Sequence, residues 1–397
     1  MLKAMESKNS AEYIKDLSRQ NNEPEWLLKR RLAAYDIFKS KQMPNFIYGL
    51  NINLNIDLNL DAMEINLGNS SSIIRNNSRI VIIENLNVAL KNNENVLKEK
   101  LMSIVGANEK FTSLHHAFLD NLTYVYIPKN AEVKEPIELS STIDSDAFDH
   151  LIVVAGDNSR FTLVENSESG SDNHAYRSKI VELFIGKNCN ANYGNVQQLN
   201  QNTFNFTIKK ASVGANSTLN WMDCCFGSKV TLAEVTTLLD GDGATTNNHG
   251  IFFGSKNQQF DLVAKSIHNA PHTVSDIFTK GALTESGKCL YRGLVRIEKN
   301  AFGSNGYQKE DTLLLSEDAT SDSIPNLEIE NNDVRCTHGA SIGRIDREKL
   351  FYMKSRGLNE EQATREYVKG FFEPLIQKIQ IKHLRGNMHH MIGERMK

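Results

Sequence analysis

Between about residues 75 and 335 the chain alternates apolar and polar residues in short runs, with turn residues between them and little helical periodicity. "SRFTLVEN", "FNFTIKK", "STLNWMD", "CLYRGLVRIE" and "NLEIEN" are such runs, and Phe204, Phe206 and Ile208 show the period of two directly. Between them stand "AGDNS", "IGKNC", "VGANS", "DGDGA", "ESGKC", "EKNAF" and "SEDAT", whose Gly, Asn and Asp suit tight corners. A long β region with no helix between most of its strands must bury its apolar face by stacking or by closure. Two arrangements satisfy this: a sandwich or barrel, and a parallel β-helix whose coils stack at the ~4.8 Å interstrand spacing. The Gly-x-Asn corners favour the second. Their separation, roughly 25 to 45 residues, is too irregular for a strict repeat. One interruption, "NNENVLKEKLMSIVG", reads as a helix.

Helical patterns flank this region. Ser10 can cap a segment that puts Tyr13, Ile14 and Leu17 on one face. Pro24 suits the start of a second helix presenting Trp26, Leu27, Arg30 and Ala34, which Met43-Pro44 ends. The run "LNINLNIDLNLD" then sets Leu50, Ile52, Leu54, Ile56, Leu58 and Leu60 against Asn and Asp, the pattern of a strand or ordered edge. On the far side, Asp346 can cap "REKLFYMKSR", Gly357 supplies a left-handed stop, and Asn359 with Gln362 resembles a capping box. Pro374 should kink the helix that follows. The tail "KHLRGNMHHMIGERMK" reads as basic and mobile.

A net charge of −3 gives no basic field for nucleic acid. No run reaches the ~18 apolar residues of a membrane span, and the start lacks the apolar core of a secretory signal. The five cysteines, Cys189, Cys224, Cys225, Cys289 and Cys336, are scattered and contain no CxxC. That argues for reduced thiols in a cytoplasmic protein, each packed as a small hydrophobe unless a partner is found.

One pair stands out. In an extended strand Val334, Cys336 and His338 face the same side, with Cys336 and His338 about 7 Å apart. Thiolate and imidazole both ligate iron or zinc, but two ligands do not close a site, and the rest must come from a distant loop or another chain. Cys224 and Cys225 are adjacent and face opposite sides of a strand, so they cannot share an ion. His268 and His272 flank Pro271 and read as turn histidines; His389 and His390 make a weak pair in the tail. Asp240 and Asp242, set among glycines, read as a corner. Neither GxxxxGK[ST] nor a strand-borne GxGxxG is present, so any ATP must be bound by a partner.

Several ordered segments together resemble the SufB/SufD family of iron–sulfur cluster assembly proteins. They are "NNEPEWLLKRRLAAYDIF", "LHHAFLDNLTYVYIPKNAEVKEPIEL", "HLIVVAGDNSRFTLVE", "KGALTESGKCLYRGLVRIEKNA" and "NLEIENNDVRCTHGASIGRIDREKLFYMKSRGL". The resemblance implies a mainly β fold: a right-handed parallel β-helix core flanked by N-terminal and C-terminal α-helical regions. It divides the chain into a helical region and linker strand at 1–74, a core at 75–338 and a helical ATPase-docking region at 339–397. It also implies a non-enzymatic scaffold that binds a SufC-type ABC ATPase and pairs with a SufB-like or identical second protomer. The iron–sulfur cluster would be held transiently at the interface between protomers and not stably by one chain.

Carried over residue by residue, Cys336, His338, Gly339 and Ala340 resemble the SufD form; SufB has glutamate where Gly339 stands. "QKEDTLLL" lacks the cysteine of the SufB "QCDSL" strand, and "EVTTLLDGDGA" lacks the one expected for sulfur uptake. Tyr291-Arg292-Gly293-Leu294-Val295 is closer to SufB, so the chain is SufD-leaning with mixed character. The expected interface and metal residues are Cys336 and His338; the expected docking residues are Phe351, Tyr352, Arg356 and Phe371. Two other readings compete. A carbohydrate-acting β-helix enzyme would need clustered carboxylates on neighbouring coils, and a purely architectural partner would leave Cys336 inert.

Overall fold

A computed structural model describes residues 9–44, 54–68 and 71–396. The alternating runs form two nine-stranded sheets, and successive strands pass from one sheet to the other. Each turn therefore gives one strand to each sheet, from Asn121–Ile127 with Ile137–Ile143 at the start to Thr320–Ile329 with Arg335–Arg344 at the end. Pairing between turns is parallel and in register, as where Val230–Leu239 lies between Thr203–Val213 and Gln259–His268. The result is a parallel β-solenoid of about eight turns, the stacked alternative of the two that the pattern allowed. Two antiparallel strands, Ser71–Arg75 and Ile82–Asn85, pair with the first turn and end the sheets there. Val81, just before the second of them, packs into the solenoid interior.

The corners explain how the coils stay in register. Asn130, Asn158, Asn188 and Asn216 all take left-handed backbone angles, with φ between 55° and 63°. Their side-chain amides form a ladder from turn to turn: Asn158 donates to Asn130 at 2.8 Å, Asn188 to Asn158 at 3.1 Å and Asn216 to Asn188 at 3.4 Å. Gly243, His272 and Gly303 continue the left-handed column. The seven positions are 27 to 31 residues apart, so the repeat is far more regular than the corner motifs suggested. The period was hidden because the last three corners exchange Asn for Gly or His.

Inside, one side is apolar, with Val153, Val181, Leu183, Leu219 and Val235 among its residues. The interior also holds buried ion pairs. Lys179 Nζ lies 2.7 Å from Glu165 and Lys209 Nζ 3.1 Å from Asp223. Burial alone would raise the Glu165 carboxyl, but Lys179 and the donating Tyr193 hydroxyl hold it below the usual carboxylate range. Each charge has its partner, which a buried ion needs if it is not to cost several kcal/mol.

Helices cover both outer faces. Ala11–Gln20, Glu25–Ser40 and Lys110–Phe118 pack against one sheet through Tyr35, Phe38, Phe111, Phe118 and Phe148. A polar seam lies under this cover. Glu182 accepts the backbone N–H groups of Met102, Ile104 and Val105 at 2.7 to 3.0 Å and faces His150 Nε2 at 3.0 Å. His115 Nε2 is 3.2 Å from His150 Nδ1. Burial holds His115 well below the ordinary histidine range and His116 down to about 3, so both are neutral.

The caps expected from sequence are present. Ser10 accepts from the Tyr13 N–H, Asp346 from those of Glu348 and Lys349, and Asn359 forms a full capping box with Gln362. Pro24 sits at the N-cap of its helix, and Gly357 has φ +99°. The tail differs from expectation. It forms a helix, Lys382–Glu394, whose Leu384, Met388 and Ile392 bury against Val196, Met222 and Phe253 of the other sheet. Their spacing of four is a helical stripe that the flanking basic residues masked. Glu360–Ile376 covers the same sheet, with Pro374 in its last turn.

Of the alternating run at 50–60, residues 50–53 fall outside the described residues. Residues 54–60 form no strand, yet Leu54 and Leu60 are buried while Asn55, Asp57 and Asn59 are exposed. The expected ladder is replaced by a side-chain clamp: Gln259 Oε1 accepts from the Asn55 N–H at 2.7 Å and Gln259 Nε2 donates to Asn55 O at 3.0 Å.

The asparagine column gives a direct test. Asn188→Ala removes two ladder bonds, to Asn158 and from Asn216, and leaves in the left-handed region a residue without the polar side chain that eases it, which should destabilise the chain by about 1–2 kcal/mol. Asn188→Gly should recover most of the loss, because glycine takes that conformation freely. Equal losses in the two variants by urea unfolding would show that the backbone angle is not what the residue provides.

Candidate functional site at the open end of the solenoid

The last turn differs from the first. Thr320–Ile329 and Arg335–Arg344 each pair on one side only, with Lys288–Ile297 and Asn305–Leu314. None of their residues is fully buried. Among the described residues the solenoid thus ends in two open edges, a backbone array with unused donors and acceptors.

Cys336 and His338 lie on the second of these strands and share its inward face. Cys336 packs against the interior cluster that contains Tyr291 and Val295. Gly306 is its register partner, and a β-carbon there would come 2.6 Å from Val295 Cγ1 and 3.2 Å from Cys336 Sγ. Only a glycine leaves the thiol its space. His338 is opposite Gln308, whose Nε2 lies 3.5 Å from His338 Nδ1 and donates to Asn326 O at 2.9 Å. Burial pushes the Cys336 thiol above its ordinary range, so it is protonated at neutral pH. Among the described residues, no three of His, Cys, Asp and Glu are grouped to hold a metal ion. The pair is half of a donor set.

Sequence reasoning passed over two residues of the adjoining strand. Gln308 and Glu310 alternate with outward residues of Asn305–Leu314 and face the interior, 2 % and 1 % exposed. Burial pushes the Glu310 carboxyl up to about 7, while the hydroxyls of Thr312 and Ser323 oppose that rise. The signal was available: "NGYQKEDTLL" puts Gly306, Gln308, Glu310, Thr312 and Leu314 at one parity. Polar residues on a strand normally mark its solvent face, which hid them.

The other residues considered are dispersed. Cys225 lies inside and Cys224 outside under the C-terminal helix, both with thiols raised by burial. His268 is buried between the hydroxyls of Thr273 and Ser275, at 2.7 and 2.8 Å, and burial lowers it to about 4. His272 and Asp242 meet at a corner at 2.8 Å, and Asp240 takes the amide of Asn269 there. His389 pairs with Glu373 at 3.1 Å, and His390 lies beside it on the same helix.

Beyond the last strand, the helix Arg347–Ser355 has no buried residue. Phe351 and Tyr352 are 74 % and 59 % exposed. The Arg356 guanidinium lies over the Tyr352 ring at 5.3 Å and donates to its hydroxyl at 3.2 Å. Phe371 is different: it packs edge-on to Phe372 at 5.1 Å, with Lys280 Nζ 4.0 Å above its ring.

An open-ended parallel solenoid with helices on both faces and a thiol–imidazole pair at its free edge defines the class of protein. Residues 139–371 match the domain described as SUF system FeS cluster assembly, SufBD core domain. The chain belongs to this SufBD family of iron–sulfur cluster assembly proteins. It is 28 % identical to an iron-sulfur cluster assembly SufBD family protein of Staphylococcus haemolyticus, over 93 % of this chain and 89 % of the relative. A protein of the same description from Staphylococcus aureus matches to the same extent. One from Staphylococcus epidermidis is 32 % identical over 76 % of this chain and 66 % of its own.

The exposure of the thiols yields a prediction. Four of the five cysteines are buried and Cys336 is half-buried. Iodoacetamide should therefore add one label to the native protein, at Cys336. Because the thiol titrates above its ordinary value, labelling at neutral pH should be slower than that of a free thiol and should still climb beyond pH 9. Peptide mass spectrometry reads both, and fast labelling at pH 7 would contradict the protonated thiol.

Proposed function

We propose that this chain is a scaffold subunit of the SUF iron–sulfur assembly machinery, acting by presentation of groups and not by catalysis of its own. The observation that carries the reading is the free last turn: two unpaired edges, one of which bears Cys336 and His338, a donor pair that needs completion. A second protomer, SufB-like or identical, would pair with this end and supply the remaining ligands. The cluster is then cargo at a shared interface, present transiently. Thiol and imidazole suit iron, and a neutral thiol in the single chain fits a site that is engaged only when the partner arrives.

The exposed helix Arg347–Ser355 supports the second half of the reading. Phe351, Tyr352 and Arg356 place two aromatic rings and a guanidinium on one solvated surface, the residue types that dominate protein interfaces. A SufC-type ABC ATPase would dock there and supply the ATP chemistry in a cytoplasmic complex. Phe371 would contribute indirectly, by fixing the helix Glu360–Ile376 against the sheet.

Two measurements test this. Co-expression with the ATPase and a SufB-like chain, followed by native mass spectrometry, should give a complex that Phe351→Ala/Tyr352→Ala depletes of ATPase but not of the second protomer. In a cluster-assembly assay, His338→Ala should abolish or strongly reduce product, with Cys336→Ala at least as intact in the complex. Unchanged assembly in both single variants and in their combination would leave an architectural partner and remove the ligand reading.

A further inference from the structure

One row of residues inside the solenoid carries polar groups from turn to turn. In register across the sheet that ends with Arg335–Arg344 stand Glu165, Asn195, Asp223, Gly250, Thr279 and Glu310. They lie at the inward parity of their strands, as Asp223 does with Trp221 and Cys225, and Gly250 with Phe252. Where neighbours in the row both have side chains they can bond directly: Asn195 donates to Asp223 at 2.6 Å. At Gly250 the row is broken. Asp223 and Thr279 stand on either side of it, two strand spacings or about 9–10 Å apart.

A cavity of about 30 Å³ lies at this break, enough for one water and at most two. Asp223, Gly250 and Thr279 line it from the row, with Asn248, Tyr291 and Leu262 around them. Asn248 is 3 % exposed, and its Nδ2 has no hydrogen-bond partner among the described residues. Its register partners are Trp221 and Ile277, whose side chains offer no acceptor. A buried amide donor left in this way is costly. On the opposite wall the Thr279 hydroxyl reaches Tyr291 Oη only at 3.4 Å, long for a bond between hydroxyls. The occupant has to be neutral and able both to donate and to accept. A cation would meet the Asn248 N–H groups, and an anion the Asp223 carboxylate.

We infer that the break at Gly250 is a binding site for an ordered water, which accepts from Asn248 Nδ2, donates to the Asp223 carboxylate and bonds the Thr279 and Tyr291 hydroxyls. The water takes the place of the side chain that Gly250 lacks and joins the two halves of the polar row. Glycine leaves it the room, since a β-carbon at 250 would come 3.0 Å from Thr279 Oγ1. The site is closed within one chain and needs no second protomer.

Oxygen-17 relaxation dispersion on the full-length protein counts long-lived internal waters and tests the assignment. Gly250→Ser and Gly250→Ala should each lose at least one such water relative to the wild type. The serine hydroxyl can replace the bonds of the displaced water and the alanine methyl cannot, so Gly250→Ala should melt at a lower temperature than Gly250→Ser. Asn248→Leu, which fills the space from the other side, should lose the same water and keeps the test open if neither Gly250 variant folds. A wild type without a long-lived water overturns the proposal, as does an undiminished count in the variants that fold. Equal melting temperatures for the alanine and serine variants would overturn the assigned hydrogen bonds.

Discussion

Each strand of a solenoid satisfies its backbone only through the turn before and the turn after it, so the two ends are where the fold has to be resolved. In this chain they are resolved differently. At the first turn, Ser71–Arg75 and Ile82–Asn85 run antiparallel against the sheets, and Val81 packs into the interior. At the last turn no strand is added among the described residues, and the edges of Thr320–Ile329 and Arg335–Arg344 remain open. Open edges are an aggregation hazard that proteins normally blunt or cover. Leaving two of them free is consistent with a surface whose pairing belongs to function.

The same asymmetry orders the polar groups inside. In the middle turns the interior charges are matched, Lys179 with Glu165 and Lys209 with Asp223. Near the open end hydroxyls take the place of a cation: Thr312 donates to Glu310 and Ser323 lies beside it, while Gln308 Oε1 has no hydrogen-bond partner among the described residues. Buried charges without partners are costly, so the contrast within one interior is informative. The matched pairs hold the coils together, whereas Gln308 and Glu310 stay buried one strand inward of the open edge.

Much of this was legible in the sequence, for physical reasons. Period-two alternation marked the strands, and Asn or Gly at the corners marked the coil. Asp346, Asn359 and Gly357 fixed the helix ends because capping is local chemistry. Cys336 and His338 could be put on one strand face from their spacing alone. Where local chemistry is silent, the sequence says less. Ala147–Ala155 is buried on both faces, since helices cover its outer side, and so it carries no clean alternation. Lys382–Glu394 reads as a mobile tail from sequence because its apolar stripe matters only against a sheet that lies far away along the chain. Glu310 does not announce itself in the sequence, because parity does not reveal which face of a strand becomes the interior.

Stability and incompleteness come from separate parts of the molecule. The helices Glu360–Ile376 and Lys382–Glu394 pack Phe372, Leu375, Leu384 and Met388 onto one sheet, and the N-terminal helices do the same for the other. With both faces sealed, the last turn is held by its stacking on the previous one and needs no cover of its own. The thiol of Cys336 can then stay protonated against the interior until a change in its surroundings favours the thiolate. On the proposed reading, a second protomer makes that change by adding ligands and excluding water at the edge. A donor set split between chains would couple cargo binding to assembly, since neither half alone closes the coordination shell.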